Sequence, residues 1–173
     1  MLPERACSIG DMPSPLVSII CGSRSDLETV EKSVALLSEL HVPSELRIIS
    51  AHRAPALLDR YVDRAAKRGV RVFICAAGLA AHLAGAVAAR TAWPVIGLPM
   101  PGGVGGGLDA LLSTAQMPPG VPVATVGLGN ARNAALLAAQ ILAISDPALA
   151  ERVEAFRADQ TRAVEADPLN EGL

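Results

Sequence analysis

The chain is poor in aromatic residues. Its 173 residues include two Phe, one Tyr and one Trp, 2% in all, against 51% hydrophobic residues overall. A core of that composition must be filled by Val, Leu, Ile and Ala, which suits a parallel sheet buried between helices. Net charge is small as well: 15 basic and 17 acidic side chains leave a formal charge of −2. There is no basic field for nucleic acid and no acidic tail, so a negatively charged ligand must be met by local groups. The three cysteines, Cys7, Cys21 and Cys75, are odd in number and lack C-x-x-C or His-Cys spacing. Cys21 and Cys75 fall inside apolar strand-like runs and read as buried, reduced thiols. No apolar run approaches the roughly 20 residues of a membrane span, and MLPERACSIGDMPSP has no apolar core of a signal peptide. The expectation is a cytoplasmic protein with no structural metal, no membrane and no nucleic-acid partner.

What is present is an alternation of short apolar runs with longer patterns of 3.6-residue period. Strands are expected at Val17–Cys21, Leu46–Ile49, Val70–Ala76, Val95–Leu98 and Pro122–Val126. Helices are expected at Ser25–Leu40, Ala54–Arg68, Ala80–Arg90, about Leu108–Ala115, Asn130–Ile144 and Pro147 to about Val164. Ser25-x-x-Glu28 has the form of a capping box, Pro55 falls in a first helical turn, and Gly69 stands at a helix stop. Such alternation with short links implies right-handed crossovers and a five-stranded parallel sheet in a three-layer α/β sandwich of flavodoxin or Rossmann type. Residues 1–15 read as a leader, 16–145 as one domain, 146–166 as a C-terminal helix able to project from the core, and 167–173 as a tail. In sheets of this kind ligands sit beyond the carboxyl ends of the strands.

Those ends carry chemistry. After the first strand comes Gly22-Ser23-Arg24-Ser25-Asp26, readable either as a capped helix start or as hydroxyl and amide donors for a phosphate with Asp26 available for sugar hydroxyls. After the second comes Ser50-Ala51-His52-Arg53, where His52 can exchange protons near neutral pH and Arg53 can grip a phosphate. After the third comes AAGLAAHL, Ala76 to Leu83, whose small residues permit close approach of a ligand to backbone. His82 there serves a site, a cap, a packing contact or a neighbouring subunit, and the residues alone do not choose. After the fourth comes GGVGGGLDALL, in which Gly105, Gly107 and Ala110 spell G-x-G-x-x-A. A dinucleotide fingerprint belongs to the first strand-to-helix turn, with an acid closing the second strand. Here the run follows strand four and strand two ends in SAHR, so it reads as a linker or pocket wall. After the fifth, Asn130 is expected to cap the next helix.

GSRSD, SAHRAP, AAGLAAHL and GLDALLSTAQMPPGVPVATV, in this order and spacing over about Val17 to Leu142, resemble the PurE family. Its usual bacterial members are N5-carboxyaminoimidazole ribonucleotide mutases of purine biosynthesis, and the AHL segment is closer to these than to the animal-type carboxylases. The resemblance implies a flavodoxin-like fold, a homo-octamer with active sites at subunit contacts, a small-molecule ribonucleotide substrate, and no metal or organic cofactor. By motif, it implies that Ser23, Ser25, Ser50 and Arg53 hold the phosphate, with Ala51 beside them, and that Asp26 meets the ribose. His52 becomes the general acid and base, while Gly78, Ala80, Ala81, His82 and Leu83 shape the pocket for the imidazole and the migrating carboxylate.

The chain also departs from that pattern. Ala84 stands where family members usually have Pro, Pro101-Gly102 replaces a Gln-Ser loop, Asp109-Ala110 replaces Asp-Ser, and the segment at Gly129–Asn133 is two residues shorter. The changes after strand four remove polar side chains and add backbone freedom, so the run is expected to be a mobile wall of the pocket, among the least ordered segments of the core. Two other functions compete: a carboxylase or decarboxylase of the same family on another heterocycle, and a non-catalytic nucleotide-binding module. A phospho-receiver is disfavoured, because strand three ends in Ala-Ala-Gly with no acceptor Asp.

Overall fold

A computed structural model describes residues 14–172; the expected leader, except its last two residues, and Cys7 lie outside the described residues. Five parallel strands, β1 (Val17–Cys21), β2 (Ser44–Ile48), β3 (Val72–Ala77), β4 (Val95–Pro99) and β5 (Ala124–Thr125), pair in the order β2-β1-β3-β4-β5. The helices are α1 (Leu27–Glu39), α2 (Pro55–Arg68), α3 (Leu83–Ala88), α4 (Leu108–Ala115), α5 (Ala131–Ala143) and α6 (Pro147–Glu165). This strand order is the flavodoxin-like one, in which the crevice opens where the connections from β1 and β3 diverge.

Side-chain alternation along the strands divides the core in two. Val17, Ile19, Val72, Ile74, Ile96 and Leu98 pack with α1, α5 and the start of α6. Ile20, Phe73, Cys75 and Val95 pack with α2 and α3 on the opposite face. With every residue of β1 and β4 buried, these strands read as continuous apolar runs, as double-sided burial requires. The alanine wealth has a location: Ala131, Ala134, Ala135, Ala138 and Ala139 form the fully buried stripe of α5. Ser33 of α1 donates to the carbonyl of Ala131 at 2.7 Å, tying the two helices together. Opposite them, buried Ser18 lies 2.6 Å from the Tyr61 hydroxyl, which donates to Glu45 at 2.8 Å, so the polar groups under α2 satisfy one another. Burial pushes the Tyr61 hydroxyl and the Cys75 thiol up from their ordinary values.

Several boundaries moved, each for a visible reason. The capping box at Ser25 does not form: Ser25 sits inside a 3-10 turn (Arg24–Asp26) capped by Ser23, and α1 begins only at Leu27. The expected helix from Ala80 shortens to Leu83–Ala88, because Leu79 takes a left-handed conformation (φ 56°) and holds the preceding residues in a turn. Strand five reduces to two paired residues at the sheet edge. Gly69 closes α2 at φ 112°, and Asn130 caps α5 by accepting from the Asn133 N–H at 3.1 Å, both as expected. The first half of α6 is anchored by buried Leu149 and Val153 and by Arg152, whose Nε donates to the Leu40 carbonyl at 2.9 Å; beyond Phe156 the helix is exposed. Among the described residues no helix is long and apolar enough to cross a membrane.

Gly97, in the middle of β4, lies tightly against Thr114 of α4. A Cβ there would overlap Thr114 Cγ2 outright and come within 3.0 Å of Val123 Cγ1. Gly97→Ala is therefore expected to lower stability by about 1–3 kcal/mol, the usual cost of overpacking a filled core, as a lower midpoint at unchanged slope in urea unfolding.

Candidate active site

Four strand ends converge on one cavity of about 490 Å³. β1 delivers Gly22 and Ser23. The Ser23 hydroxyl oxygen accepts the N–H of Ser25 at 3.3 Å and the hydroxyl of Ser25 at 2.9 Å, and Ser25 Oγ also lies 3.1 Å from its alternative acceptor, Asp26 Oδ1. Asp26 stands at the start of α1 without a capping bond, and its carboxylate lines the cavity. Ser23 caps the turn, while Ser25 and Asp26 keep polar groups at the cavity.

β2 delivers Ser50 to Arg53. Ser50 accepts the Arg53 N–H at 3.2 Å, closing the turn, and Arg53 Nη2 donates to the Gly22 carbonyl at 2.6 Å, which locks this loop to the one after β1. Among the described residues the rest of the exposed guanidinium fork has no protein partner, so it is available to an anion. β3 delivers Ala77, Gly78, Leu79 and Ala80, followed by His82 and Leu83 at the head of α3. His52 Nε2 lies 3.0 Å from His82 Nδ1, with the rings nearly perpendicular at 89° and their centres 5.0 Å apart. One proton links the two rings, so the tautomer of each depends on the other. His82 makes no side-chain capping bond and lines the cavity.

β4 supplies Met100, Pro101, Gly102 and Gly103 to the fourth side. The glycine run is a folded turn rather than a loose linker. Gly102 N–H donates to Gly106 at 3.2 Å, Gly107 N–H donates to Val104 at 3.3 Å, and Asp109 Oδ2 accepts from the Val104 N–H at 3.1 Å. The backbone freedom expected of so many glycines is largely taken up by these bonds.

Eleven of the twelve residues singled out in the sequence line this cavity: Ser23, Ser25, Asp26, Ser50, Ala51, His52, Arg53, Gly78, Ala80, His82 and Leu83. Ala81 does not. It is buried, and its N–H is spent on the Ser113 hydroxyl at 3.0 Å, because the left-handed Leu79 turns the chain inward there. Gly22, Ala77, Leu79 and Met100 line the cavity too but were not among the twelve. The strand-end rule reaches Met100 and Pro101 once β4 is extended to Pro99, whereas no sequence signal marks a Leu for the left-handed region.

Chemically the lining is of three kinds: Ser23, Ser25, Ser50 and Arg53 offer hydroxyl and guanidinium donors, Ala77, Ala80, Leu83 and Met100 are of low polarity, and His52 and His82 are the hydrogen-bonded imidazoles. Cys21, buried at the end of β1, is not among the lining residues; burial pushes its thiol up, and the Asp26 carboxylate adds to that shift.

The family model for AIR carboxylase matches residues 16–163. An N5-carboxyaminoimidazole ribonucleotide mutase from Synechocystis is 53% identical over 145 residues, which is 84% of this chain and 82% of the relative. One from Pyrococcus abyssi is 49% identical over 148 residues, 86% of this chain and 85% of the relative. Among solved structures, PurE from Treponema denticola superposes with a TM-score of 0.83 at 29% identity, covering 92% of this chain and 99% of that one. With the strand order, the cavity and these matches in agreement, the chain belongs to the PurE (AIR carboxylase) family.

Proposed function

We propose that this chain is an N5-carboxyaminoimidazole ribonucleotide mutase of purine biosynthesis, moving a carboxyl group from the exocyclic nitrogen to ring carbon 4 of aminoimidazole ribonucleotide. The observation that carries the reading is that the linked imidazoles of His52 and His82 share one cavity with the hydroxyl and guanidinium donors of Ser23, Ser25, Ser50 and Arg53 and with small apolar residues. Relatives about 50% identical over most of the chain bear the mutase name.

In this reading Ser23, Ser25, Ser50 and Arg53 hold the 5′-phosphate, with Ala51 in the same turn, and Asp26 accepts from ribose hydroxyls. His52 as imidazolium protonates the carbamate nitrogen as the N–C bond breaks and CO2 leaves. The electron-rich ring carbon attacks that CO2, forming the new C–C bond. Neutral His52 then removes the proton from the same carbon and returns to its starting state, so no proton is gained or lost overall. Gly78, Ala80, His82 and Leu83 enclose the site where CO2 is held. Ala81 supports that segment from beneath. Confining CO2 next to the carbon it must meet is a proximity effect, favoured by a wall that offers it no water. The reaction as proposed draws on no metal and no organic cofactor.

The reading extends to assembly as a homo-octamer in the cytoplasm, with cavities at subunit contacts. The exposed apolar side chains of Leu79, Val104, Leu108 and Leu112 support self-association, though not a particular number of copies or a compartment.

Purified protein is expected to interconvert the two carboxylated aminoimidazole ribonucleotides without ATP and in the presence of a chelator, followed by a labelled carboxylate. No exchange of label between the two positions would sink the proposal. His52→Asn is expected to cut kcat by at least about 100-fold, the lower range for loss of a general acid-base group, with ribonucleotide affinity by calorimetry little changed. Arg53→Ala should instead raise KM roughly 10- to 100-fold, as expected for losing a charge-assisted hydrogen bond to phosphate, with a smaller effect on kcat.

A further inference from the structure

Nothing in the cavity itself explains why the segment after β3 is shaped as it is. Leu79 occupies the left-handed region at φ 56°, a conformation that a bulky residue without a β-branch still enters only at a cost. Such a conformation persists where surrounding contacts over-determine it. The contacts come from α4, outside the wall. Ser113 Oγ accepts the N–H of Ala81 at 3.0 Å, donates back to the Asp109 carbonyl at 2.7 Å in its own helix, and lies 3.4 Å from the Leu79 carbonyl. The residue after Ala81 is His82, the partner of His52. The carbonyl bonded to Ser113 belongs to the residue whose side chain pins the glycine turn: Asp109 Oδ2 accepts from the Val104 N–H at 3.1 Å, while Oδ1 lies 2.9 Å from the Ala110 N–H. Gly103 is the tight point of that turn. At φ 63° it has no space for a side chain, since a Cβ would come within 2.5 Å of Asp109 Oδ2 and 2.8 Å of Leu79 Cδ2. Leu79 and Gly103 both line the cavity, so the two walls meet each other over the same helical turn.

We propose that Ser113 and Asp109, four residues apart on one face of α4, are positioning residues that set the two walls of the cavity: Ser113 the His82 segment, and through it the His52–His82 hydrogen bond, and Asp109 the glycine turn. Neither side chain lines the cavity. The division of labour follows from what each holds. Loss of the Ser113 hydroxyl lets the left-handed turn relax and the His82 ring move away from His52, which disturbs the proton-carrying group. Loss of the Asp109 carboxylate releases Gly102 and Gly103, which disturbs enclosure of the ligand and leaves the imidazoles in place. The kinetic part rests on the mutase reading; the effect on the histidine pair does not.

The test uses the untagged full chain labelled with 15N-histidine, whose ring-nitrogen signals report tautomer and hydrogen bonding for His52, His82 and, as an internal reference, His41. In Ser113→Ala the His52 and His82 signals are expected to move towards those of freely exchanging tautomers, with His41 unmoved. With that change, kcat should fall at least fivefold while KM stays within twofold, and Ser113→Thr, which keeps the hydroxyl, should recover both the signals and kcat. Asp109→Ala should raise KM at least fivefold with kcat within twofold and the imidazole signals in place, and Asp109→Asn, whose amide oxygen still accepts from Val104, should recover KM. Unmoved imidazole signals in Ser113→Ala, a loss that Ser113→Thr fails to repair, or a change in Asp109→Ala confined to kcat would each overturn the proposal. Should Ser113→Ala not fold, Ser113→Cys, with its weaker acceptor, is judged by the same signals. If the wild type shows no mutase turnover, the function reading fails by itself. The ring-nitrogen signals and the calorimetric affinity for aminoimidazole ribonucleotide, in place of KM, still decide this one.

Discussion

Cys21 stands between Ile48 on one side and Ala76 on the other, and within two residues of that row the three strands let go of one another. Gly22 makes one last bond to the Ala76 carbonyl, Ile49 one to Cys21, and on the far side Met100 one to Ala77. This shared finish is the constraint behind the rest of the molecule. A parallel sheet brings each strand back in the same direction, so the segments that leave it emerge side by side. Serines from one, histidine and arginine from the next, and a second histidine from the third then face each other with no long-range search. Burial of both sheet faces keeps the strand ends rigid, and that rigidity is what a 3.0 Å contact between two imidazoles from different loops requires.

The small-residue composition serves the same end at another level. Alanines along α5 and Gly97 in β4 let helices settle close against the sheet, so a chain with almost no aromatics still fills its interior. The consequence for the site is that α4 lies near enough for Ser113 and Asp109 to bond to the loops beyond β3 and β4. Packing density in the core and shape of the cavity are therefore one problem: where α4 sits decides both. The glycine run belongs to that problem too. Its glycines meet a steric demand at Gly103, wedged against Asp109 and Leu79.

Much of this was legible in the chain. Periodicity and punctuation placed five strands and six helices in order, because burial on two faces leaves continuous apolar runs while helices keep one polar side. The cavity residues at Ser23, Ser50, His52 and Arg53 were legible since the strand-end rule converts a sequence position into a location. What escaped was set by contacts distant in sequence. Ala81 looks like its neighbours but points into the interior, and α3 starts late, because a left-handed Leu79 is held by a helix more than thirty residues away. The capping box at Ser25 failed for a nearer reason: Ser23 was the better-placed cap, and the hydroxyl of Ser25 turned to it.

By itself, then, the order of residues determined the fold class, the edge of the sheet where chemistry would gather, and the residue types available there, since each depends on local pattern and on the fixed hand of the connections. Only the tertiary structure decided which of those residues face one another, that His82 joins His52 rather than capping or packing elsewhere, and that the glycine turn is braced from α4. Those outcomes depend on distances between segments that no local pattern encodes.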